Sequence, residues 1–191
     1  MRGANEIASC LFKEIMALPT DIQKITFYSD TCGGQNKNAF VAAMFLAVIQ
    51  MKESLEEINH KFLTSGHSHM EYDADHSLIE KQKKKTGMKI AHPHDWATLI
   101  RCTNKKKPFN VVEMSQEDFY NFSDLLKNVF VKKQKDSSGR RFLWHDCKWL
   151  KYTKQQGIIY YKKTLKKNDQ FYEINFNRRG RPGAINLKQR Y

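Results

Sequence analysis

The sequence has 191 residues, of which 40% are hydrophobic and 28% are charged, and this balance argues against an intrinsically disordered chain. The formal net charge of +13 favours a polyanionic partner, with nucleic acid first, although a solvated basic surface is the plain alternative. The four cysteines form no C-x-x-C pair, and no apolar run approaches the roughly 18 residues that a membrane span requires. We therefore expect an intracellular, nuclear protein with no membrane contact.

The first part of the chain is predicted to alternate between helices and strands. Apolar residues recur at helical spacing in some segments, while other segments are short and rich in β-branched residues. Such alternation predicts parallel strands joined by crossover helices, with functional groups at the carboxyl ends of the strands. In chain order, the predicted elements are a helix over 4–17, a strand over 24–29, a helix over 38–51, a strand over 61–64 and a helix over 69–85.

The second part is less regular. The pattern predicts a short helix over 94–101, a strand over 109–114 and a helix over 115–128, followed by three β-rich runs within 142–152, 157–163 and 171–176. We divide the chain into a core with a helical extension (1–131), a polar linker (132–141) and a basic, aromatic, β-rich tail (142–191).

The first motif that can carry chemistry surrounds Asp30, at the end of the first predicted strand. Gly33 and Gly34 follow it and would let backbone N–H groups approach a ligand, and Gln35, Asn36 and Lys37 then lead into a helix. A carboxylate here suits Mg²⁺ or Mn²⁺, and the amides and the lysine suit phosphate. A simple turn explains the same residues equally well.

The second motif runs from Gly66 to Glu80 and is rich in imidazoles and carboxylates. At helical spacing His69, Asp73, His76 and Glu80 fall on one face. A group of this kind favours metal binding, whereas any one of these residues alone is better explained as part of a solvated face.

Together, the segments Y-S-D-T-C-G-G-Q-N-K-N and G-H-S-H-M-E-Y-D-A-D-H-S-L-I-E resemble a domain of unknown function that is widespread in invertebrate genomes and looks transposon-derived. The resemblance covers at least residues 2–85. It implies a ribonuclease H-like fold similar to that of DDE/DDD transposases. The implied fold class is therefore α/β, a partial ribonuclease H-like core whose first strands are missing, followed by an α+β extension and the small β-rich tail.

The resemblance also implies roles for individual residues. Asp30 and Asp73 would be catalytic acids that bind Mg²⁺ or Mn²⁺, and His67 would lie beside metal, water or phosphate. Asp75 and Glu80 are alternatives for the acid on the helix, and the sequence does not choose among them. Because such enzymes take a further acid from an upstream strand, we expect an N-terminally truncated chain that is inactive as a nuclease or transposase.

Three functions stay open at this point. The first is a metal-dependent nuclease-like domain that cleaves or transfers phosphodiesters. The second is a non-catalytic nucleic-acid-binding module, and the third is a gene fragment without a selected function. The expected partner is nucleic acid, with DNA preferred over RNA. Besides Gln35, Asn36 and Lys37, the predicted nucleic-acid contacts are basic residues: Lys83, Lys84, Lys85, Lys105, Lys106, Lys107, Arg178, Arg179 and Arg181.

Overall fold

The structure is a computed structural model that describes residues 3–63, 71–178 and 183–190. The chain forms two compact units. Unit 1 combines Met1–Gly66 with Gln116–Tyr191, and unit 2 is His67–Ser115. Unit 2 is therefore inserted between two parts of unit 1 along the chain. None of the described helices is both long and apolar enough to cross a bilayer.

Among its described residues, unit 1 contains three α-helices, a short 3₁₀ turn (Gln116–Asp118) and one sheet. Its helices are α1 (Ala4–Ala17), α2 (Ala39–Met51) and α5 (Phe122–Asn128). Its strands are β1 (Lys24–Ser29), β2 (Glu57–Phe62), β3 (Trp149–Thr153), β4 (Ile158–Lys162) and β5 (Tyr172–Asn175). Unit 2 contains α3 (Glu71–Thr86) and α4 (Pro93–Arg101).

The five strands lie in the order β1-β2-β3-β4-β5. β1 and β2 are parallel, with Lys24 opposite Glu57 and Ser29 opposite Phe62. The other three pairs are antiparallel. The predicted α/β class and the parallel pair joined by a helix are confirmed, and the strands of the predicted tail extend the same sheet.

Helix α2 is the centre of the hydrophobic core. Its residues from Val41 to Ile49 are at most 1% exposed, so it is apolar on every side. The helix packs on one face of the sheet, which contributes alternate residues such as Ile58, Leu150 and Ile159 to the same cluster. The strand residues that alternate with these, such as Lys61 and Lys151, lie on the opposite face and do not join the cluster.

Three predicted elements were wrong in detail. β2 begins at Glu57 rather than at Lys61, because Glu57 binds Lys24 across the sheet at 2.5 Å and Asn59 accepts a hydrogen bond from Trp149.

Residues 109–114 form no strand. The carbonyl of Val111 accepts a hydrogen bond from the side chain of Arg101 instead of pairing with a strand. The helix predicted over 115–128 is interrupted, and α5 starts only at Phe122 because the side chain of Asn121 caps it.

The segment predicted as a linker, 132–141, contains a buried carboxylate. Asp136 accepts hydrogen bonds from Ser138 N, Arg140 N and Nε, and the Tyr161 hydroxyl, all at 2.9–3.0 Å. Burial by itself raises the pKa of Asp136, but these hydrogen bonds outweigh it and hold the pKa below its usual value. The hydrogen bond from Tyr161 thereby holds the segment against β4. The domain boundaries drawn from the sequence stay a prediction.

Candidate functional site

Asp30 directly follows β1, at the carboxyl end of the parallel β1–β2 pair. Its Oδ1 atom accepts hydrogen bonds from Cys32 N at 3.0 Å and from Asn36 Nδ2 at 2.8 Å. The carbonyl of Cys32 in turn accepts hydrogen bonds from the backbone N–H groups of the next turn, including Lys37 N at 3.0 Å. The carboxylate is therefore held in a fixed position by the loop that follows it.

The glycines of this loop are not required by its geometry. Neither Gly33 nor Gly34 has a positive φ. A Cβ at Gly34 would meet nothing within 4 Å, and one at Gly33 would lie 4.0 Å from the nearest atom. What glycine adds at these positions is open space around the loop.

The amides and the lysine that follow Asp30 have different environments. Gln35 is exposed, whereas Asn36 is occupied by its bond to Asp30. Lys37 is only 5% exposed: its Nζ donates to the His145 carbonyl at 2.9 Å and lies 4.9 Å from the centre of the Phe62 ring. Burial lowers the pKa of Lys37. Direct contact of this ammonium with phosphate would require Lys37 to become more exposed. The predicted nucleic-acid contacts at these three residues stay predictions.

A buried histidine lies next to the Asp30 loop. His60 on β2 is 3% exposed, and its Nε2 is 2.8 Å from the hydroxyl of Ser29, which itself donates to the Asp30 carbonyl at 3.1 Å. Burial, with a smaller contribution from the charge of Lys37, lowers the pKa of His60 to about 3. A neutral His60 therefore supports the end of β1. Sequence reasoning missed it, and the only available signal was its alternation with Asn59 and Lys61 in a segment that looked too polar for a strand.

The second acidic motif lies in unit 2. Asp73 and Glu80 are exposed on α3, and Asp75 is half-buried. His67 and His69 fall outside the described residues. Within the described part of either unit, no three histidine, cysteine, aspartate or glutamate side chains come together as metal ligands. Asp30 and Asp73 belong to different units, and the metal site that would combine them stays a prediction.

Asp30 can bind a divalent cation, but it does not supply all the ligands that such a cation needs. Mg²⁺ and Mn²⁺ prefer oxygen ligands, and Mg²⁺ is commonly held by one or two carboxylates together with water and substrate phosphate. Because Oδ1 is already used by two hydrogen bonds, Oδ2 is the better-placed ligand atom. The remaining ligands would have to come from elsewhere in the chain, from water or from phosphate.

Comparison with known protein families identifies the domain around this site. A family model described as a domain of unknown function, DUF7869, matches residues 2–167. The chain belongs to this family. No curated protein and no solved structure matches the chain. The DUF7869 match includes both acidic motifs and the strands β1 to β4, while β5 lies beyond it.

The basic clusters of the DUF7869 chain are mostly on its surface. Lys83 lies over the Trp96 ring at 4.7 Å, and both residues are in unit 2. Lys84 and Lys85, at the end of α3, are exposed, as are the three lysines at 105–107 and Arg178. Arg179 and Arg181 lie outside the described residues. These positions are compatible with phosphate contact, which stays a prediction.

Proposed function

We propose that this chain is a transposase-derived, ribonuclease H-like polynucleotide-processing domain, in which Asp30 helps to bind Mg²⁺ or Mn²⁺. The observation that supports the proposal is the position of Asp30 at the carboxyl end of a parallel strand pair, with its carboxylate fixed by Cys32 N and Asn36. Ligand sites in open α/β sheets lie at such strand ends.

In this proposal Asp73 supplies a second acid, with Asp75 and Glu80 as alternatives, and His67 contacts water or phosphate. The metal, when bound, neutralises charge on the scissile phosphate and activates the attacking oxygen. The fixed loop after β1 would hold the Asp30 carboxylate in one orientation without rearrangement. DNA is the proposed substrate and the nucleus the proposed compartment.

Because the chain is expected to be inactive as a nuclease or transposase, the test is Mn²⁺ binding, followed through the electron paramagnetic resonance signal of free Mn²⁺, with EDTA as the control. Asp30→Asn keeps an oxygen that can accept the bonds from Cys32 and Asn36 but removes the charge. We expect the affinity for Mn²⁺ to fall by at least about ten-fold, the usual cost of disturbing a metal site. Asp21→Asn is the matched control, since Asp21 is an exposed acid on the amino side of β1. Mn²⁺ binding that Asp30→Asn leaves intact would exclude the proposed role.

The second candidate is a non-catalytic nucleic-acid-binding module. The net charge of +13 and the exposed lysines at 84–85 and 105–107 favour it. It predicts DNA binding that weakens steeply with salt and is unchanged by EDTA. DNA binding of this kind without Mn²⁺ binding at Asp30 would replace the first proposal by the second.

A further inference from the structure

The two faces of the unit 1 sheet differ in composition. The face toward α2 is apolar and belongs to the core, as Ile58 and Tyr152 illustrate. The other face, which we call the cation–aromatic face, carries large aromatic rings and lysines where a solvated sheet usually carries small polar residues. Its defining residues are Tyr28, Lys61, Trp149, Lys151, Tyr160 and Phe171.

Strand register sets these residues side by side. Tyr28 is opposite Lys61, which is opposite Trp149, so a ring, a cation and a ring form one row across three strands. In the next row Lys151 is opposite Tyr160. Since neighbouring strands are about 4.8 Å apart, an extended ligand that crosses the sheet meets these groups in succession.

The lysines of this face lie against the rings. Lys61 Nζ is 4.2 Å from the centre of the Trp149 ring and 5.4 Å from that of Tyr28. Lys151 Nζ is 4.2 Å from the Phe171 ring and 5.2 Å from the Tyr160 ring. Neither lysine forms an ion pair with a carboxylate among the described residues. Their charges are thus available to an anionic ligand.

The face is accessible and positive. Tyr28 is 54% exposed, and Trp149, Tyr160 and Phe171 are half-buried. The sheet rows on this side contain four lysines, at positions 24, 61, 151 and 162, against the two glutamates Glu57 and Glu173. Glu57 is already paired with Lys24 at 2.5 Å, and Glu173 accepts a hydrogen bond from the Ser137 hydroxyl at 2.9 Å.

We infer that the cation–aromatic face binds single-stranded nucleic acid, with bases stacked on its rings and phosphates beside Lys61 and Lys151. Aromatic rings next to cations suit a chain that carries both π-faces and negative charge, and exposed bases are available only where strands are unpaired. Lys162 is not part of the contact, because it is 2% exposed and donates to the carbonyls of Lys166 and Lys167. The inference rests on the nucleic-acid partner proposed above but does not require cleavage.

The first test measures binding of a labelled oligothymidylate by fluorescence anisotropy. Tyr28→Leu keeps an apolar side chain at this exposed position but removes the ring, and we expect affinity to fall by about five-fold or more. Tyr28→Phe retains the ring and should bind like the parent chain. Equal urea unfolding midpoints for the two variants would establish that folding is not the cause.

The second test distinguishes the effect of the lysines on this face from the effect of positive charge elsewhere on the chain. Lys61→Gln and Lys151→Gln should each lower the slope of log affinity against log salt by roughly 0.7 for a single strand. Lys127→Gln, which removes the same charge from α5 on the helical side of the sheet, should leave the slope unchanged. A duplex of the same length should bind more weakly than the single strand.

Several outcomes would overturn the inference. These are unchanged binding by Tyr28→Leu, duplex binding as tight as single-strand binding, equally effective competition by polyglutamate, or a dimer that Tyr28→Leu dissociates. If nucleic acid binds but the face variants have no effect, only this inference fails. If the face variants weaken binding but Asp30→Asn leaves Mn²⁺ binding unchanged, the inference stands and the catalytic proposal fails. If no nucleic acid binds at any salt concentration, both fail.

Discussion

His60 and Lys37 show how single residues support the end of β1. Both are buried, and the positive charge of Lys37 adds to the desolvation that keeps His60 neutral. Ser29, at the end of β1, is hydrogen-bonded to His60 on β2, and Lys37 in the Asp30 loop donates to the carbonyl of His145 in the loop that precedes β3. These contacts hold the candidate site in place.

The stability of the chain should therefore depend on pH through His60. Its pKa of about 3 in the folded state lies below the value of about 6.5 in an unfolded chain, so the unfolded state binds more protons between these values. Stability is full above about pH 6.5 and declines as the pH falls, by up to about 1.4 kcal/mol per pH unit. Urea unfolding between pH 7 and about pH 4.5 measures this slope. His60→Gln should flatten it, and an equally steep slope in that variant would contradict the assignment.

Among the helices and strands, the amino end of α2 connects the candidate site to the core. The Asn38 side chain accepts hydrogen bonds from Phe40 N and Val41 N, both at 3.0 Å, and donates to the carbonyls of Gly33 and Gln35. One side chain thus begins the central helix and closes the loop after Asp30.

Asn38→Ala should lower the free energy of unfolding by about 1 kcal/mol or more, because it removes the cap of a helix on which the whole core depends. Asn38→Asp is the control, since its carboxylate can still accept from Phe40 N and Val41 N at the positive end of the helix. Chemical denaturation would measure both variants. Equal losses for alanine and aspartate would show that capping is not the cause.

The turn between β3 and β4 depends on glycine for a steric reason. Gly157 has φ +72°, and a Cβ there would lie 2.1 Å from Asn177 Oδ1, whose side chain is tied to Gln156 O at 2.8 Å. Gly139, at φ +81°, has open space around it. Gly139→Ala should cost roughly 1–2 kcal/mol from backbone strain alone, and Gly157→Ala clearly more. Thermal unfolding of the two variants would measure the difference in destabilisation. Equal destabilisation would mean that Asn177 moves aside for the new Cβ.

The sequence predicted the elements whose residues have a strong pattern of their own. The helix at 39–51 and the strand at 24–29 were found because each is almost uniformly apolar or β-branched. The start of β2 was missed because Glu57 and Asn59 are polar, and their partners on β1 and β3 are distant in sequence. The position of Asp30 was predictable because it directly follows the well-patterned strand at 24–29. The role of His60 was not predictable, because it depends on packing between strands that no local motif records.

The aromatic residues of the C-terminal part illustrate the same limit. The sequence did not indicate which of them are internal. Register with β2 puts Trp149 and Tyr160 on the cation–aromatic face, while Tyr152 and Tyr161 enter the core at 0% and 2% exposure. A shift of one residue in that register would move Trp149 and Tyr160 to the core side of the sheet and Tyr152 and Tyr161 to the cation–aromatic face.

Across the whole molecule, buried apolar side chains are distributed unevenly between the two units. In unit 2 the buried apolar side chains among the described residues are Ala97 and Leu99, whereas unit 1 contains the entire helix–sheet core. Every side chain of α3 that the structure describes is exposed or half-buried. A helix with so little buried surface has a low local opening free energy.

Hydrogen exchange should therefore resolve two levels of protection. Amides of α3 should exchange orders of magnitude faster than those of α2, whose opening requires the core to unfold. Native-state exchange followed by mass spectrometry measures both helices in one sample. Equal protection of α3 and α2 would mean that α3 gains stability from contacts beyond those in unit 2.

The insertion of unit 2 between β2 and β3 has a consequence for synthesis on the ribosome. β2 ends at Phe62, and its antiparallel partner β3 begins only at Trp149. At roughly 5–20 residues per second, several seconds separate the emergence of these two strands. During that interval α1, β1, α2 and β2 have left the ribosome without the strand that covers the second edge of β2. The apolar helix α2 is then a natural target for chaperones until the C-terminal strands arrive.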